Sequence, residues 1–331
     1  MPRARPERDR RRRRAAPAPG PLGEFEIIER YFRLATAQTE VGGGDDAAIV
    51  RTSPGTELHV CVDTLVAGRH FPPQCPAAAV GHRALAVNLS DLAAMAARPR
   101  WATLALTLPQ AEPHWLADFA HGFAALAREH GVDLIGGDTT AGPLTVTVTA
   151  LGEAPRGTRL TRDGAQPGDT VYVSGPLGDA GAGLALIQRQ GGATSPAEQH
   201  LVDRFLWPRP RLDLACVLRE HGHAVIDISD GLVADAGHLA AASGVGLVLD
   251  LERLPVSAAL VDCRLRESHL ELALGAGDDY ELCVCAPPAA KPVLTYHGLV
   301  PIGEAVAGSG VVFRRDGRPV DPPVSAGYRH F

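Results

Sequence analysis

The feature that most restricts the fold of this chain is a set of four aspartate clusters beside glycines or at the ends of apolar segments. They are GDD at 44–46, VDT at 62–64, GGDTT at 136–140 and IDISDG at 226–231. Any one alone predicts an Asx turn or a helix cap. Together they predict carboxylates gathered at the ends of strands, where like charges repel and need a cation. Hard oxygen ligands with neighbouring Thr and Ser suit Mg²⁺.

Two glycine-rich turns add a predicted site for an anion. GGDTT and SGPLGDAG (174–181) would let backbone N–H groups approach an oxyanion, and a helix beginning after Gly178 would add its positive end. Arg162 is a candidate for neutralising a phosphate, and an arginine that only faces solvent is the alternative. The pattern favours a protein that binds Mg²⁺ and a phosphorylated ligand.

The composition excludes several well-known ways of handling phosphate. All but one of the 32 Lys and Arg residues are arginine, and the exception, Lys291, lies in the loop sequence APPAAKP. The chain therefore has no GxxxxGK[ST] loop, no protein-kinase strand lysine and no lysine placed for a Schiff base.

The charge is divided unevenly along the chain. The first 14 residues hold eight Arg against Glu7 and Asp9, a net charge of +6, so residues 15–331 carry −12 of the formal total of −6. An acidic body disfavours nucleic acid as the main partner. We expect residues 1–22 to be a solvated Arg-rich tail, with contact to nucleic acid or a membrane surface as the alternatives.

The location is predicted from what the chain lacks. No apolar run is long enough to span a membrane, and the basic start is not followed by the apolar segment of a signal peptide. The six cysteines show no CxxC pair and no zinc spacing, so we expect buried thiols in a cytoplasmic protein.

The order of apolar segments predicts an α+β fold in two domains, without the regular alternation of a doubly wound sheet. We expect a first domain at 23–155, a Gly-, Arg- and Pro-containing linker at 156–168 and a second domain at 169–331. The main predicted elements are helices at 23–36, 77–97 and 113–130 and a strand at 57–66. The sequences of residues 87–97 and 226–236 are weakly similar, which either two halves of related architecture or chance would explain.

Several motifs in this order resemble the thiamine-monophosphate kinase family, in the superfamily of aminoimidazole ribonucleotide synthetase and selenophosphate synthetase. VDTLVAGRHF (62–71), LIGGDTT (134–140) and GDDYEL (277–282) resemble that family in particular, whereas NLSDLAAM (88–95) is shared across the superfamily. The resemblance runs from residue 23 to GYRHF at 327–331. It implies two α+β domains, a homodimer formed by the N-terminal domain, and transfer of phosphate from ATP to thiamine monophosphate.

The resemblance also implies a set of site residues. The implied Mg²⁺ ligands are Asp46, Asp63, Asp91, Asp138, Asp227 and, for a further ion, Asp230. The implied ATP contacts are Gly137, Asp138, Arg162 and Ser229. The implied contacts with thiamine monophosphate are His70, Asp278 and Tyr328. No general base is expected, because a phosphomonoester with a second pKa of about 6 is already an anionic nucleophile.

Each of these residues has a plainer interpretation. His70 could merely end a strand, and Tyr328 could be a surface or packing residue. Asn88 could be a hydrogen-bonding helix residue or could orient the loop beside Asp91. Asp45 and Asp279, the neighbours in the two Asp-Asp pairs, could be structural caps. An unpaired Asp91 in an apolar helix would be costly, which favours a ligand role for it.

The chain departs from the family pattern at two places. Cys61 and Val62 stand where Ser or Thr residues commonly help to bind metal, which weakens one ion site if hydroxyl groups are needed there. Asp278 stands where Glu is frequent, so its shorter carboxylate has to sit closer to the ligand. Two other functions stay open: an ATP-dependent synthetase acting on another acceptor, and a non-catalytic nucleotide-binding protein.

Overall fold

A computed structural model describes residues 22–189, 192–265 and 267–322. Most of the predicted tail and the candidate Tyr328 lie outside these ranges. The α-helices are α1 Glu24–Ile27, α2 Ala77–Ala94, α3 Pro113–His130, α4 Asp179–Gln188, α5 Pro196–Leu206, α6 Ala215–His221, α7 Leu232–Ser243, α8 Ala258–Asp262, α9 His269–Gly275 and α10 Lys291–Tyr296. The strands are β1 Thr39–Val41, β2 Ile49–Val50, β3 Thr56–Val66, β4 Arg98–Leu108, β5 Asp133–Ala141, β6 Thr145–Pro155, β7 Thr170–Val173, β8 Ala224–Asp227, β9 Gly246–Asp250, β10 Leu282–Ala286, β11 Val300–Val306, β12 Gly310–Arg315 and β13 Arg318–Val320.

The first half of the chain forms a four-stranded sheet in the order β3-β6-β4-β5. β6 pairs antiparallel with β3 and β4, and β4 pairs parallel with β5. Helices α2 and α3 pack together against the inner face of this sheet, and the alternating apolar residues of β4 and β6 fill the space between. The predicted α2, α3 and β3 are therefore confirmed, with ends within a few residues of those expected.

The second half forms a seven-stranded mixed sheet in the order β13-β12-β9-β11-β7-β10-β8. One core lies between this sheet and α7 and α9, and another lies on the opposite face under α6 and α10. Residues 156–168, all within the described part of the chain, contain no helix or strand apart from an isolated bridge between Thr161 and Ala224. The α+β class is confirmed, and the domain boundaries stay a prediction.

The first helix is shorter than the sequence predicted. Helix α1 continues as one π-helical turn, Ile28–Phe32, and then stops, although the periodicity suggested a helix to residue 36. Beyond the helix, the carboxylate of Asp133 accepts hydrogen bonds from the backbone N–H groups of Ala37 and Gln38 at 2.7–3.0 Å. A buried carboxylate from nearly a hundred residues away thus sets the path of the chain after the helix.

The cysteines are all free, and only Cys75, Cys283 and Cys285 are buried as expected. The prediction is wrong for Cys216, which is exposed, and only partly right for Cys61 and Cys263. A separate finding concerns helix hydropathy: none of the helices in the described ranges is long and apolar enough to cross a membrane.

Candidate active site

Helix α2 carries the residues that join the two halves of the chain at the candidate site. Fifteen of its residues are buried, because it lies between the first sheet and the second half. Arg83, Val87 and Ser90 are spaced three or four residues apart, which places them on one face of a helix. The Ser90 hydroxyl donates to Asp227 Oδ2 at 2.8 Å, and the Arg83 guanidinium contacts Asp278 Oδ1 at 2.6 Å.

Three of the predicted metal ligands come together beside this face. Asp63 lies on β3, Asp91 on α2 and Asp227 at the end of β8, where only 4% of it is exposed. Burial, together with the Asp227 and Asp63 carboxylates, raises the pKa of Asp91 to about 7. Burial also raises the pKa of Asp227 to about 6, although the Ser90 hydrogen bond lowers it, and burial raises the pKa of Asp63. Three carboxylates here resist being ionised together.

These pKa shifts predict that the free energy of unfolding of the metal-free chain falls as pH rises. The folded-state pKa values of Asp91 and Asp227 lie above the usual 3.8, so between about pH 4 and about pH 7 the folded chain keeps protons that the unfolded chain has lost. We expect a loss on the order of 3 kcal/mol over this window. Denaturant unfolding in chelator at a series of pH values measures it. Asp91→Asn should flatten the slope, and an unchanged slope in that variant would contradict the assignment.

The donor set of this cluster fits Mg²⁺, because it consists of mutually repelling carboxylate oxygens with a hydroxyl beside them. In the described part of the chain, however, no three His, Cys, Asp or Glu side chains form a group that could hold a metal ion. Mg²⁺ usually keeps several waters and takes further oxygens from substrate phosphates, so one or two carboxylates per ion are enough.

Two cavities meet at Asp91. One, of about 680 Å³, is lined by His70, Asp278 and Tyr280 and also by Asp63 and Asp227. The other, of about 760 Å³, is lined on its polar side by Arg162, Arg159 and His59 and also by the acidic Glu57 and Asp163, with Arg159 paired to Glu57 at 3.2 Å. The carboxylates therefore lie between a compartment with an acidic and aromatic wall and a compartment with two arginines.

Arg162 and His70 lie where each could act on a ligand. Arg162 is exposed and lines the cavity of about 760 Å³, and its positive charge lowers the pKa values of Asp91 and Asp227. His70 follows β3, and its Nδ1 accepts a hydrogen bond from the Val66 backbone N–H at 2.9 Å. A neutral ring in this bond carries its proton on Nε2. His70 thus ends a strand, as the plainer interpretation held, and also lines the cavity.

The carboxylate of Asp235 fixes the backbone of the loop that contains Ser229 and Asp230. One oxygen of the Asp235 carboxylate accepts hydrogen bonds from the backbone N–H groups of Ser229, Asp230 and Gly231, at 3.0–3.1 Å. Burial raises the pKa of Asp235 to about 7, with Asp227 and Asp230 adding to the shift. Ser229 and Asp230 both line the cavity of about 680 Å³, so Asp235 fixes two predicted ligand-binding residues without reaching the cavity itself.

Three predicted site residues do not join this cluster within one chain. Asp46 and Asp138 are exposed and line neither cavity. Asp138 lies opposite Ala105, which lies opposite Thr147, which in turn lies opposite Thr64, so these four residues share one face of the sheet. Asp63 precedes Thr64 and therefore lies on the other face, while Asp138 projects from the outer face. Gly137 is required by packing, because a Cβ there would lie 1.8 Å from the Leu104 carbonyl oxygen.

The turn SGPLGDAG does not offer its amides to a ligand. Asp279 accepts hydrogen bonds from the N–H groups of Gly178 at 2.8 Å and Ala180 at 3.4 Å, at the start of α4. The prediction of an oxyanion site at this turn is therefore wrong. The prediction that Asp279 is a structural cap is confirmed by these bonds at the start of α4. The prediction for Asp45 stays a prediction, since Asp45 Oδ1 accepts only the N–H of the next residue, Asp46, and no helix begins there.

Family models match most of the chain. The N-terminal domain of AIR synthase related proteins matches residues 44–154, and the C-terminal domain of the same family matches residues 166–316. Thiamine-monophosphate kinase from Escherichia coli O157:H7 is 44% identical over 320 residues, covering 93% of this chain and 98% of the relative. The chain belongs to the thiamine-monophosphate kinase family. The corresponding protein of Haemophilus influenzae is 37% identical, covering 94% of this chain and 98% of its own length.

Solved structures of the thiamine-monophosphate kinase family share the fold. The crystal structure of the enzyme from Stenotrophomonas maltophilia K279a has a TM-score of 0.80 and 44% identity, covering 89% of this chain and 96% of that one. A complex of AaThiL with AMPPCP and TMP has a TM-score of 0.77 and 34% identity, covering 94% and 97%. The predicted family, the two-domain α+β architecture and the kinase class are confirmed.

Cys61 and Val62, which replace the Ser or Thr residues common in the family, are packing and surface residues in this chain. The Cys61 thiol contacts the Asn88 carbonyl oxygen at 3.3 Å, and burial with the Asp91 and Asp63 carboxylates raises its pKa far above the usual range. A thiol that stays protonated is a poor ligand for a hard cation. Val62 is 60% exposed and projects from the outer face. Asn88 itself donates to the Ala84 carbonyl, so it is a hydrogen-bonding helix residue.

The sequence analysis missed Arg83, Ser90 and Asp235. Ser90 lies inside the NLSDLAAM motif, next to Asp91, so its hydroxyl was open to the same reasoning. Arg83 carries the clearest signal of the three, because it is a charged residue within an otherwise apolar stretch of helix.

Proposed function

We propose that the chain transfers the terminal phosphoryl group of ATP to thiamine monophosphate, giving ADP and thiamine diphosphate. The observation that carries the proposal is the cluster of Asp63, Asp91 and Asp227 at the point where the two cavities meet. Phosphoryl transfer between two polyanions depends mainly on positioning and charge neutralisation. A carboxylate cluster between two compartments meets both requirements once it holds cations.

Each compartment has a role in this proposal. The cavity with His70 and Asp278 holds thiamine monophosphate, while the cavity with Arg162 holds the nucleotide and directs its phosphates at the carboxylates. The acceptor phosphate attacks as an anion, so no side chain has to remove a proton. Asp63, Asp91 and Asp227 would hold Mg²⁺, with Asp230 available to a further ion. When bound, Mg²⁺ neutralises the charge on the phosphate oxygens.

A homodimer would complete the site, and we include it in the proposal. Leu58, Val60 and Val62 expose an apolar row on edge strand β3, with 44–60% of each residue accessible. Such a row on an edge strand usually marks an interface. Asp138 projects from the same outer face, so a partner chain packed there meets Asp138 and Gly137 of this one. That arrangement would bring the exposed nucleotide-binding candidates to an interface site.

Val60→Asp should therefore convert a dimer into monomers. A charge in the middle of a desolvated apolar interface is costly, and we expect the dissociation constant to rise by at least about a hundredfold. Sedimentation at several concentrations measures it. Val312→Asp is the matched control, since Val312 is an exposed valine on β12 in the second half. A monomeric wild-type chain, or equal effects of the two changes, would contradict the interface.

The reaction is tested by incubating the chain with ATP, Mg²⁺ and thiamine monophosphate and separating the products by chromatography. We expect stoichiometric ADP and thiamine diphosphate, and a loss of roughly 3–4 kcal/mol of transition-state stabilisation in Asp63→Asn. ADP without thiamine diphosphate would indicate another acceptor. ATP binding without turnover would favour a non-catalytic protein. Near wild-type turnover in Asp63→Asn would remove Asp63 from the site. The cytoplasmic location stays a prediction.

A further inference from the structure

Arg83 is a fully buried arginine that the proposed reaction does not use. It lies on α2 with 0% of its surface exposed, and its side chain crosses into the second half of the chain. One terminal nitrogen donates to the Phe205 carbonyl oxygen, and the other contacts Asp278 Oδ1 at 2.6 Å. The guanidinium also lies over the Phe205 ring, 4.1 Å from its centroid. A buried charge of this kind needs a paired and well-oriented partner.

Asp278, the partner, has an unusual backbone for an aspartate. Its φ is 59°, and the φ of Tyr280 is 51°, so two non-glycine residues of one loop adopt the left-handed conformation. Gly277 must be glycine, because a Cβ there would lie 2.3 Å from the Ser229 carbonyl oxygen. Strained residues of this type persist where the surrounding contacts hold them, and they gather at functional sites.

The two sides of the Asp278 carboxylate differ. Oδ1 takes both Arg83 and the Tyr280 hydroxyl, which donates at 3.1 Å. No hydrogen bond between described residues takes Oδ2, and Asp278 lines the cavity of about 680 Å³ with 25% of its side chain exposed. One oxygen is thus anchored, and the other is available to a ligand.

We propose that Arg83 is a positioning residue for the acceptor: it holds Asp278 so that Oδ2 accepts a hydrogen bond from an N–H group, or pairs with the cationic ring, of thiamine monophosphate. This inference rests on the proposed function. Arg83 cannot touch the ligand, because it is fully buried, so it acts only through Asp278. The planar guanidinium of Arg83 contacts the Phe205 carbonyl with one terminal nitrogen and Asp278 with the other. A lysine has a single nitrogen and does not reproduce this geometry.

The experiment measures affinities for thiamine monophosphate and for a non-hydrolysable ATP analogue by calorimetry, with steady-state kinetics alongside. In folded Arg83→Lys, which keeps the charge, we expect Kd and KM for thiamine monophosphate to rise about tenfold, while the affinity for the analogue changes less than about twofold. Tyr280→Phe should give a smaller change in the same direction. Arg204→Lys is the matched control, because Arg204 is a largely buried arginine that pairs with Glu281 and does not reach Asp278.

The double variant decides whether Arg83 acts through Asp278. If it does, Arg83→Lys adds nothing to Asp278→Asn, because the group it positions is already changed. Equal losses for both ligands, or an Arg83→Lys effect that persists in the Asp278→Asn background, would overturn the inference and leave Arg83 a residue of the fold. A wild-type chain that binds thiamine monophosphate without turnover would remove the proposed reaction alone. Failure to bind it would overturn both.

Discussion

We expect the replacement of Asp227 with asparagine to lower kcat for thiamine diphosphate formation by about a thousandfold and, at the same time, to make the metal-free chain more stable. Loss of one group that stabilises developing charge typically costs a factor of about 10²–10³. Asp227 is nearly fully buried between two other carboxylates, and this environment raises its pKa to about 6. Removing the charge therefore relieves repulsion in the chain without metal. Sites that need unfavourable charge commonly trade stability for activity in this way.

The two effects are measured on the same preparations. Steady-state kinetics at saturating Mg²⁺ gives kcat, and denaturant unfolding in chelator near neutral pH gives the free energy of unfolding, which we expect to rise by roughly 1–2 kcal/mol. Ser90 can still donate to the asparagine oxygen, so the local packing is preserved. Asp118→Asn, at an exposed position on α3, is the control and should change neither quantity. A variant that loses stability would show that Asp227 is a structural residue.

Replacing Glu281 with glutamine should lower the free energy of unfolding by about 3 kcal/mol, because it leaves the partly buried Arg204 without its counter-charge and Arg211 with only the exposed Asp213. The Glu281 side chain is 4% exposed, and its oxygens accept from Arg204 at 2.9 Å and from Arg211 at 2.8 Å. The Ser174 hydroxyl donates to the same carboxylate at 2.6 Å. One side chain thus joins the start of β10 to β7, α5 and the segment before α6.

Glu304→Gln separates this effect from the general cost of losing a charge. Glu304 pairs with Arg314 at 3.3 Å, but it is 56% exposed, and surface pairs contribute about 0–1 kcal/mol. Thermal and denaturant unfolding of both variants should therefore differ clearly. Equal and small losses would mean that water reaches the Glu281 network. A loss of activity in Glu281→Gln without a loss of stability would place Glu281 in the binding machinery instead.

The elements that the sequence predicted well are those fixed by local patterns. Helices α2 and α3 and strand β3 follow from periodicity. The prediction that the carboxylates lie at strand ends is confirmed for Asp227, at the end of β8, and is wrong for Asp63, which lies within the β3 ladder. Contacts between distant parts of the chain were not predictable in this way. The path of the chain after the first helix is held by Asp133, and two amides of the SGPLGDAG turn are taken by Asp279, each about a hundred residues further along the chain.

Asp138 shows a second limit of sequence reasoning. Its motif matched the family, and its residue type suited a metal ligand. Its face, however, is decided by the register of four strands, and a shift of one residue would reverse it. Arg83 shows a third limit, since its role depends on how the two halves of the chain meet. Sequence motifs supplied the candidate residues, and the docking of elements determines which of them lie together.

Helix α2 has a consequence for the size of the molecule that the enzyme accepts. Arg83, which holds Asp278, and Ser90, which holds Asp227, are seven residues apart on one rigid helix. Two helical turns correspond to a rise of about 10 Å. In the proposed reaction Asp278 binds the acceptor and Asp227 serves the transferred phosphate, so the spacing of the two residues that hold them is set by the rise of one helix. An acceptor with its phosphate on a shorter or longer arm would reach only one end of that fixed interval.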